Sequence, residues 1–363
     1  MRVLVLTTDA FGSHGGIAKY NRDLLTALCA YPGCEEVVAV PRLMPYPVEE
    51  LPKNLTYVTK GLGSKINYIL AVLNVILRNY KFDLIICGHI NLVPIAYLLR
   101  LLSRAPLVLV IYGIDVWRPT KSAVANRLSR NIDAYISISE VTKNKFVRWA
   151  KLTGGRIYLL PNAINIKEYG PGDKNIELMD RYGLHGKIVI LTLGRLAAEE
   201  GYKGIDEILD ILPTLVKELP DLVYLIVGDG SDRARLGKKA ITLGIAEHVI
   251  FTGRVPEFEK ANHYRLADVY VMPSRGEGFG FVFLEAMACG VPVVASTIDG
   301  SREAVRDGKL GIVVDPRNPH DILRGIKEAL AQPKGIVPEG LEFFSYRNFE
   351  QRCHSIVDQV VQS

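Results

Sequence analysis

The chain has 363 residues, 48% of them hydrophobic and 23% charged, with a formal net charge of +5. That length gives room for about two domains with ordinary soluble cores, and the composition excludes a disordered chain. Its five cysteines (Cys29, Cys34, Cys87, Cys289 and Cys353) form no C-x-x-C pair or metal-like cluster, so a disulfide framework is not expected.

The chain opens as a strand, "MRVLVLTTD", with no basic n-region, apolar h-region and cleavage site before it. A cytoplasmic protein is therefore expected. Apolar runs follow in order, "VLVLT", "EVVAV", "LTYVT", "FDLIIC", "APLVLVIY", "AYISIS" and "RIYLLPN", alternating with amphipathic stretches such as "GIAKYNRDLLTALCAY" and "TKNKFVRWAKL". Strands alternating with helices in this way form a parallel sheet with crossover helices. The stretch "SKINYILAVLNVILRNYK" reads as a helix too short to span a bilayer. "LLPNAINIKEYGPGDKN" is rich in Pro, Gly and Asn and reads as a joint. Beyond it the alternation restarts with "KIVILTLGR", "LVYLIVGDG", "HVIFTGR", "DVYVMPS", "VPVVAS" and "GIVVDP". Two Rossmann-like α/β domains in tandem are expected. Charge divides along the same joint: residues 1–165 carry 20 Lys/Arg against 10 Asp/Glu, and the remainder 24 against 29. A basic first half suits an anionic acceptor or an anionic membrane surface, and equally a solvated basic face.

Ligands of open parallel sheets bind beyond the carboxyl ends of the strands, and four post-strand loops carry suitable residues. In "FGSHGGIAKY", Gly15 and Gly16 let a phosphate or sugar approach free helix amides, or form only a tight turn. In "LGRLAAEEGYKGID", Arg195 and Lys203 can clamp a diphosphate, the first as a planar fork and the second as a point charge. The alternative is a surface arginine beside a helix-start lysine. "FTGRVPEFE" places Arg254 and the Val255 backbone where a flat base edge can meet them. In "EGFGFVFLE", the amides of Gly278, Phe279 and Gly280 face phosphate oxygens. Glu277 suits hexose hydroxyls, and Glu285, one turn into the next helix, suits the vicinal diol of a ribose.

"MPSRGEGFGFVFLEAMACGVPVVAS" resembles the donor-binding signature of family 4 retaining glycosyltransferases, with its E-x7-E pattern. "GGIAKYNRDLLTAL", "GRL" with "YKG", and "LPNAIN" resemble that family's glycine-rich loop, Arg/Lys pair and interdomain segment. The resemblance covers essentially the whole chain. It implies a GT-B fold, two Rossmann-like domains with parallel sheets facing across a central cleft. An acceptor-side domain would comprise residues 1–165 plus 345–363, and a nucleotide-sugar donor domain residues 166–344. It further implies that Arg195 and Lys203 stabilise the departing diphosphate in place of a metal, that Glu277 positions the transferred sugar, and that Glu285 holds the ribose. No cofactor or metal is expected, and no D-x-D triplet occurs. The implied reaction moves a hexose-type sugar from a nucleotide-diphosphate sugar, UDP or GDP, to a hydroxyl of a glycan or lipid-linked acceptor, with retention of configuration.

The sequence departs from the family at "PLVLVIYG", where Tyr112 and Gly113 stand in place of a usual His-Gly pair. His89, ending the preceding strand, is nominated as an active-site candidate, with Tyr112 and Asp115 behind it; the alternative is a structural hydrogen bonder. Three other functions compete, of which a sugar phosphorylase shares the fold class but would be much longer and need a pyridoxal-binding lysine context that the sequence does not supply. A nicotinamide dehydrogenase would need G-x-G-x-x-G in the first turn, which "TTDAFGSHGGIAKY" does not supply. A non-catalytic nucleotide-sugar-binding subunit of a larger complex is favoured by the missing histidine and opposed by the intact Arg195, Lys203, Glu277 and Glu285. A nucleic-acid partner is not expected. Peripheral contact with an anionic membrane, at the inner face of the plasma membrane, is one of the two readings of the basic first half, beside a solvated surface.

Overall fold

A computed structural model describes residues 1–77 and 81–362. The chain forms two compact units, Met1–Ala163 with Tyr346–Ser363, and Ile164–Ser345. Every apolar run read as a strand is one.

The first unit holds β1 (Arg2–Thr7), β2 (Glu36–Pro41), β3 (Leu55–Tyr57), β4 (Leu84–Cys87), β5 (Leu107–Ile111), β6 (Ala134–Ser137) and β7 (Arg156–Leu159). They make one parallel sheet in the order β3-β2-β1-β4-β5-β6-β7. β4, β5 and β6 are buried at every residue, because helices cover both faces of the sheet. This is why these segments are continuous apolar runs rather than alternating ones. The last helix, Tyr346–Val361, belongs to this unit and packs on Gly16–Cys29. It buries Phe349, Cys353, Ile356, Val357 and Val360. Two polar ties fix it: the Tyr31 hydroxyl donates to Asp358 Oδ1 at 2.5 Å, and His354 Nε2 donates to the Ala27 carbonyl at 2.8 Å.

The helix Lys65–Leu77 buries Tyr68, Ala71, Val72 and Val75 at helical spacing. Its other face is also apolar and faces outward: Ile66, Ile69, Leu70 and Leu77 are 69, 46, 59 and 78% exposed. The end of the stretch read as this helix, Arg78 to Tyr80, lies outside the described residues. Among the described residues no helix is long and apolar enough to cross a membrane.

The second unit holds β8 (Ile188–Leu193), β9 (Leu222–Val227), β10 (Val249–Gly253), β11 (Val269–Val271), β12 (Val293–Ser296) and β13 (Ile312–Val314). Their order is β10-β9-β8-β11-β12-β13, again all parallel. In both units the chain runs outward from its first strand to one edge, then returns to the other side of that strand. The direction of winding therefore reverses between β1 and β4, and between β8 and β11. Loops at such reversals splay apart and leave a crevice, the usual ligand position in open parallel sheets.

Candidate active site

In the second unit the reversal brings together two of the loops singled out from the sequence. Arg195 and Lys203 follow β8, and Glu277 follows β11. Close backbone approach holds the two loops side by side. Gly204 sits at φ +85°, and a Cβ there would stand 2.5 Å from the Pro273 carbonyl oxygen. A Cβ on Gly276 would enter the Tyr202 ring at 2.7 Å, and the Arg275 amide donates to the Tyr202 carbonyl at 2.7 Å. Only glycine fits at either position.

The cations are not free-standing. Glu200 lies between them, its carboxylate accepting from Arg195 and standing 3.2 Å from Lys203 Nζ. Lys203 is largely buried, whereas the Arg195 side chain is 80% exposed. Glu277 is half-buried. Burial holds its carboxyl above the usual range, opposed by the Lys203 charge and the Gly278 amide and reinforced by Asp299 and Glu200.

The Glu277 loop is shaped by Asp299, which is fully buried beyond β12. Oδ2 accepts from Ser274 Oγ at 2.6 Å and from the Glu277 amide at 2.8 Å. Oδ1 accepts from the Ser301 amide and Oγ at 3.0 and 2.6 Å. The Gly300 amide returns a bond to the Glu277 carbonyl at 2.9 Å. Burial raises the Asp299 carboxyl, and these same hydrogen bonds work in the opposite direction. Phe279 anchors the loop from within, its ring edge-on to Phe344 at 5.4 Å. Gly280, at φ +94°, starts the helix Phe281–Ala288 without any side-chain cap, and Gly278 precedes it on the half-buried part of the loop.

Glu285 stands where its spacing from the glycine turn places it. It lies one turn into that helix, but the helix is apolar almost all round and buries seven of its eight residues. The carboxylate goes inside with them, at 1% exposure, and accepts from the Tyr264 hydroxyl at 2.8 Å. Arg254 and Val255 follow the edge strand β10, which β9 separates from β8; Arg254 is exposed and Val255 half-buried.

The first unit gathers a second cluster at its own reversal. Gly15 (φ +107°) starts the long helix Gly16–Cys29 without a side-chain cap, and both Gly15 and Gly16 are exposed. Tyr112 is buried, and its hydroxyl donates to Asn21 Oδ1 at 2.6 Å. Asn21 in turn donates to Thr7 Oγ1 and the Asp9 carbonyl, both at 2.7 Å. Tyr112 thus ties three elements together, and burial, then Asp115, raises its pKa well above the usual phenol value. His89 Nδ1 accepts from the Asn91 amide at 3.1 Å, and burial lowers the ring's pKa against the pull of Asp9. The neutral ring therefore carries its hydrogen on Nε2, which makes His89 a hydrogen-bond donor rather than a base. Burial pushes the Asp115 carboxyl up to about 7, against the amides of Gly113, Asp115 and Tyr112. Its buried Oδ2 has no hydrogen-bond partner among the described residues.

Glu200, Asp299, Ser274, Ser301 and Asn21 were not singled out from the sequence. Asp299 was within reach of the strand-end rule, since "STIDGS" follows β12 directly.

Two family models match the chain, "Glycosyltransferase Family 4" over residues 14–168 and "Glycosyl transferases group 1" over residues 175–339. The chain is 35% identical over 231 residues to the GDP-mannose-dependent alpha-(1-6)-phosphatidylinositol monomannoside mannosyltransferase of Mycolicibacterium smegmatis, a match covering 61% of this chain and 59% of that protein. It is 37% identical over 204 residues to the phosphatidyl-myo-inositol mannosyltransferase of Mycobacterium tuberculosis, covering 56% and 49%. The matched stretches thus span about half to three-fifths of these relatives. Among solved structures, Anabaena Alr3699/HepE in complex with UDP superimposes with a TM-score of 0.75 at 20% identity, covering 99% of this chain and all of that one. WaaG, a glycosyltransferase of lipopolysaccharide biosynthesis, superimposes with a TM-score of 0.68 at 17% identity, covering 98% and 95%. At these identities the likeness is one of fold.

Proposed function

Since the chain belongs to the group 1, family 4 glycosyltransferases and has their GT-B fold, we propose that it transfers a hexose from a nucleoside-diphosphate sugar to a hydroxyl of a lipid-linked, anionic glycan acceptor. The observation that carries this reading is the close backbone approach of the β8 and β11 loops at the reversal, which sets Lys203 in the field of Glu277, beside Gly278 to Gly280. A cation for the departing diphosphate and a carboxylate for the sugar hydroxyls stand together there. In this reading the bond from the anomeric carbon to the diphosphate oxygen breaks while the acceptor oxygen bonds to the same face of that carbon. The acceptor proton passes to the departing diphosphate. Configuration is retained, and no side chain forms a bond to the sugar. Lys203 and Arg195 supply the positive charge that stabilises the leaving group, so we propose transfer without a metal. Tyr264 holds Glu285 one helical turn from the glycine loop, and in this reading opening of that contact frees the carboxylate for the ribose.

The donor to test first is GDP-mannose, from the name of the mycolicibacterial relative, with UDP-glucose second. Calorimetric titration with both, EDTA present, is expected to give micromolar binding of one; binding of neither, nor of any other nucleoside-diphosphate hexose, overturns the reading. A lipid-linked acceptor is supported by the basic first half and by the outward Ile66, Ile69, Leu70 and Leu77. Flotation with anionic vesicles is expected to carry the protein at low salt and release it at high salt; absence of flotation at low salt overturns the membrane contact.

A further inference from the structure

The Glu200 carboxylate occupies the place between Arg195 and Lys203 that a diphosphate would take. We propose that Glu200 is a resident counter-anion of the clamp, displaced from Arg195 when a nucleoside diphosphate enters and returning to Arg195 as it leaves. This rests on the donor site described above.

Three observations carry it. Arg195 forms its ion pair with Glu200 and no other ion pair or hydrogen bond among the described residues, although 80% of its side chain is exposed. An arginine with that freedom is held in place by this carboxylate alone. Glu200 is itself 12% exposed and faces Lys203, 15% exposed, from its other oxygen, so the carboxylate is seated in the site rather than waving above it. The backbone is bent to seat it: within the 3-10 segment Ala198–Lys203, Glu200 alone leaves helical geometry, at φ −103° and ψ 21°.

The chemistry of exchange is simple. A guanidinium fork binds a carboxylate and a phosphate through the same pair of parallel hydrogen bonds. A pair with one partner largely in water is weak, and a diphosphate brings more negative charge than one carboxylate. Arg195 can therefore change partners, while the more deeply held Lys203 keeps Glu200 within reach. Once the sugar has left, the returning carboxylate competes with the nucleoside diphosphate and shortens its stay. The clamp is then tuned for turnover rather than for tightest binding.

The test is calorimetric titration of GDP, UDP and inorganic pyrophosphate into the full chain and its Glu200→Gln, Arg195→Ala and doubly substituted forms. Glutamine keeps the shape and removes the charge. The expected result is tightening by about two- to fivefold in Glu200→Gln, the scale of one weak ion pair, and little or none when Arg195 is already alanine. Unchanged or weaker binding in Glu200→Gln overturns the proposal and leaves Glu200 as a positioning residue for Lys203. Equal tightening in both backgrounds also overturns it, as the signature of a general charge effect. Glu200→Ala, which keeps neither shape nor charge, is expected to shift affinity in the same direction as Glu200→Gln, and weakening in it overturns the proposal. If pyrophosphate shows the expected pattern and no nucleotide binds, the counter-anion stands and the nucleotide donor falls; if nothing binds to any form, both fall.

Discussion

The strand ends of the two units control charge by different means. Beyond β8 and β11 charged groups face one another: Arg195 and Lys203 against Glu200, and Lys203 against Glu277. Beyond β4 and β5 the groups are held by burial and neutral hydrogen bonds, so His89 is uncharged, Tyr112 stays protonated, and Asp115 titrates near neutrality. A site built from opposed charges loses function when one partner is removed. A site built by burial tolerates neutral replacements and responds to pH.

Three substitutions test that contrast, from the largest expected effect to the smallest. Lys203→Ala removes the charge that the proposed function sets beside the diphosphate and is expected to lower turnover by about 10²–10³-fold with weaker nucleotide binding. Glu277→Ala, which under the proposed function loses a contact to the sugar rather than to the nucleotide, is expected to lower turnover while leaving nucleotide affinity within about threefold. Initial rates and calorimetry separate the two, and equal, unchanged affinity in both would misplace the site. Asp299→Ala strands the donors of Ser274 and Ser301 and the Glu277 amide inside the protein. A loss of about 3 kcal/mol is expected in thermal or denaturant unfolding; a loss within error would mean that the loop holds its shape without Asp299.

Asp115 gives the first unit a pH response of its own. Asp115 has its folded pKa raised from 3.8 to about 7, so the folded chain binds its proton more tightly than the unfolded one. Its contribution to stability is full below about pH 4 and is lost as pH rises through about 7. Asp115→Asn is expected to gain stability over the natural chain at pH 8 relative to pH 5. Melting curves at both pH values check the sign, and a constant difference would show that Asp115 is not held neutral by burial.

The fold was readable because burial of parallel strands on both faces writes continuous apolar runs into the sequence, and each such run is a strand here. The β8 and β11 loops were readable for a related reason: Arg195, Lys203 and Glu277 stand at fixed offsets from strand ends, among glycines that a crowded backbone requires. Glu200 was hidden because a glutamate in "LAAEEGYKG" looks like any solvated loop charge, whereas its carboxylate stands between Arg195 and Lys203. Glu285 was located correctly along the chain, but its direction depends on Tyr264, twenty-one positions away, a distance at which spacing carries no information. Asp115 was named for its place behind a strand end, whereas its shifted titration comes from packing that no local pattern encodes.

The helix Tyr346–Val361 closes the unit that begins at Met1, and this sets an order of events during synthesis. When Ala163 has been made, the groove along Gly16–Cys29 still lacks the wall that Phe349, Cys353, Ile356, Val357 and Val360 will supply. Roughly 180 more residues must be translated first, about 10–40 s at ordinary elongation rates. Over that interval the growing chain carries an unsealed apolar seam on the first unit, and the second unit can fold completely before the first is finished.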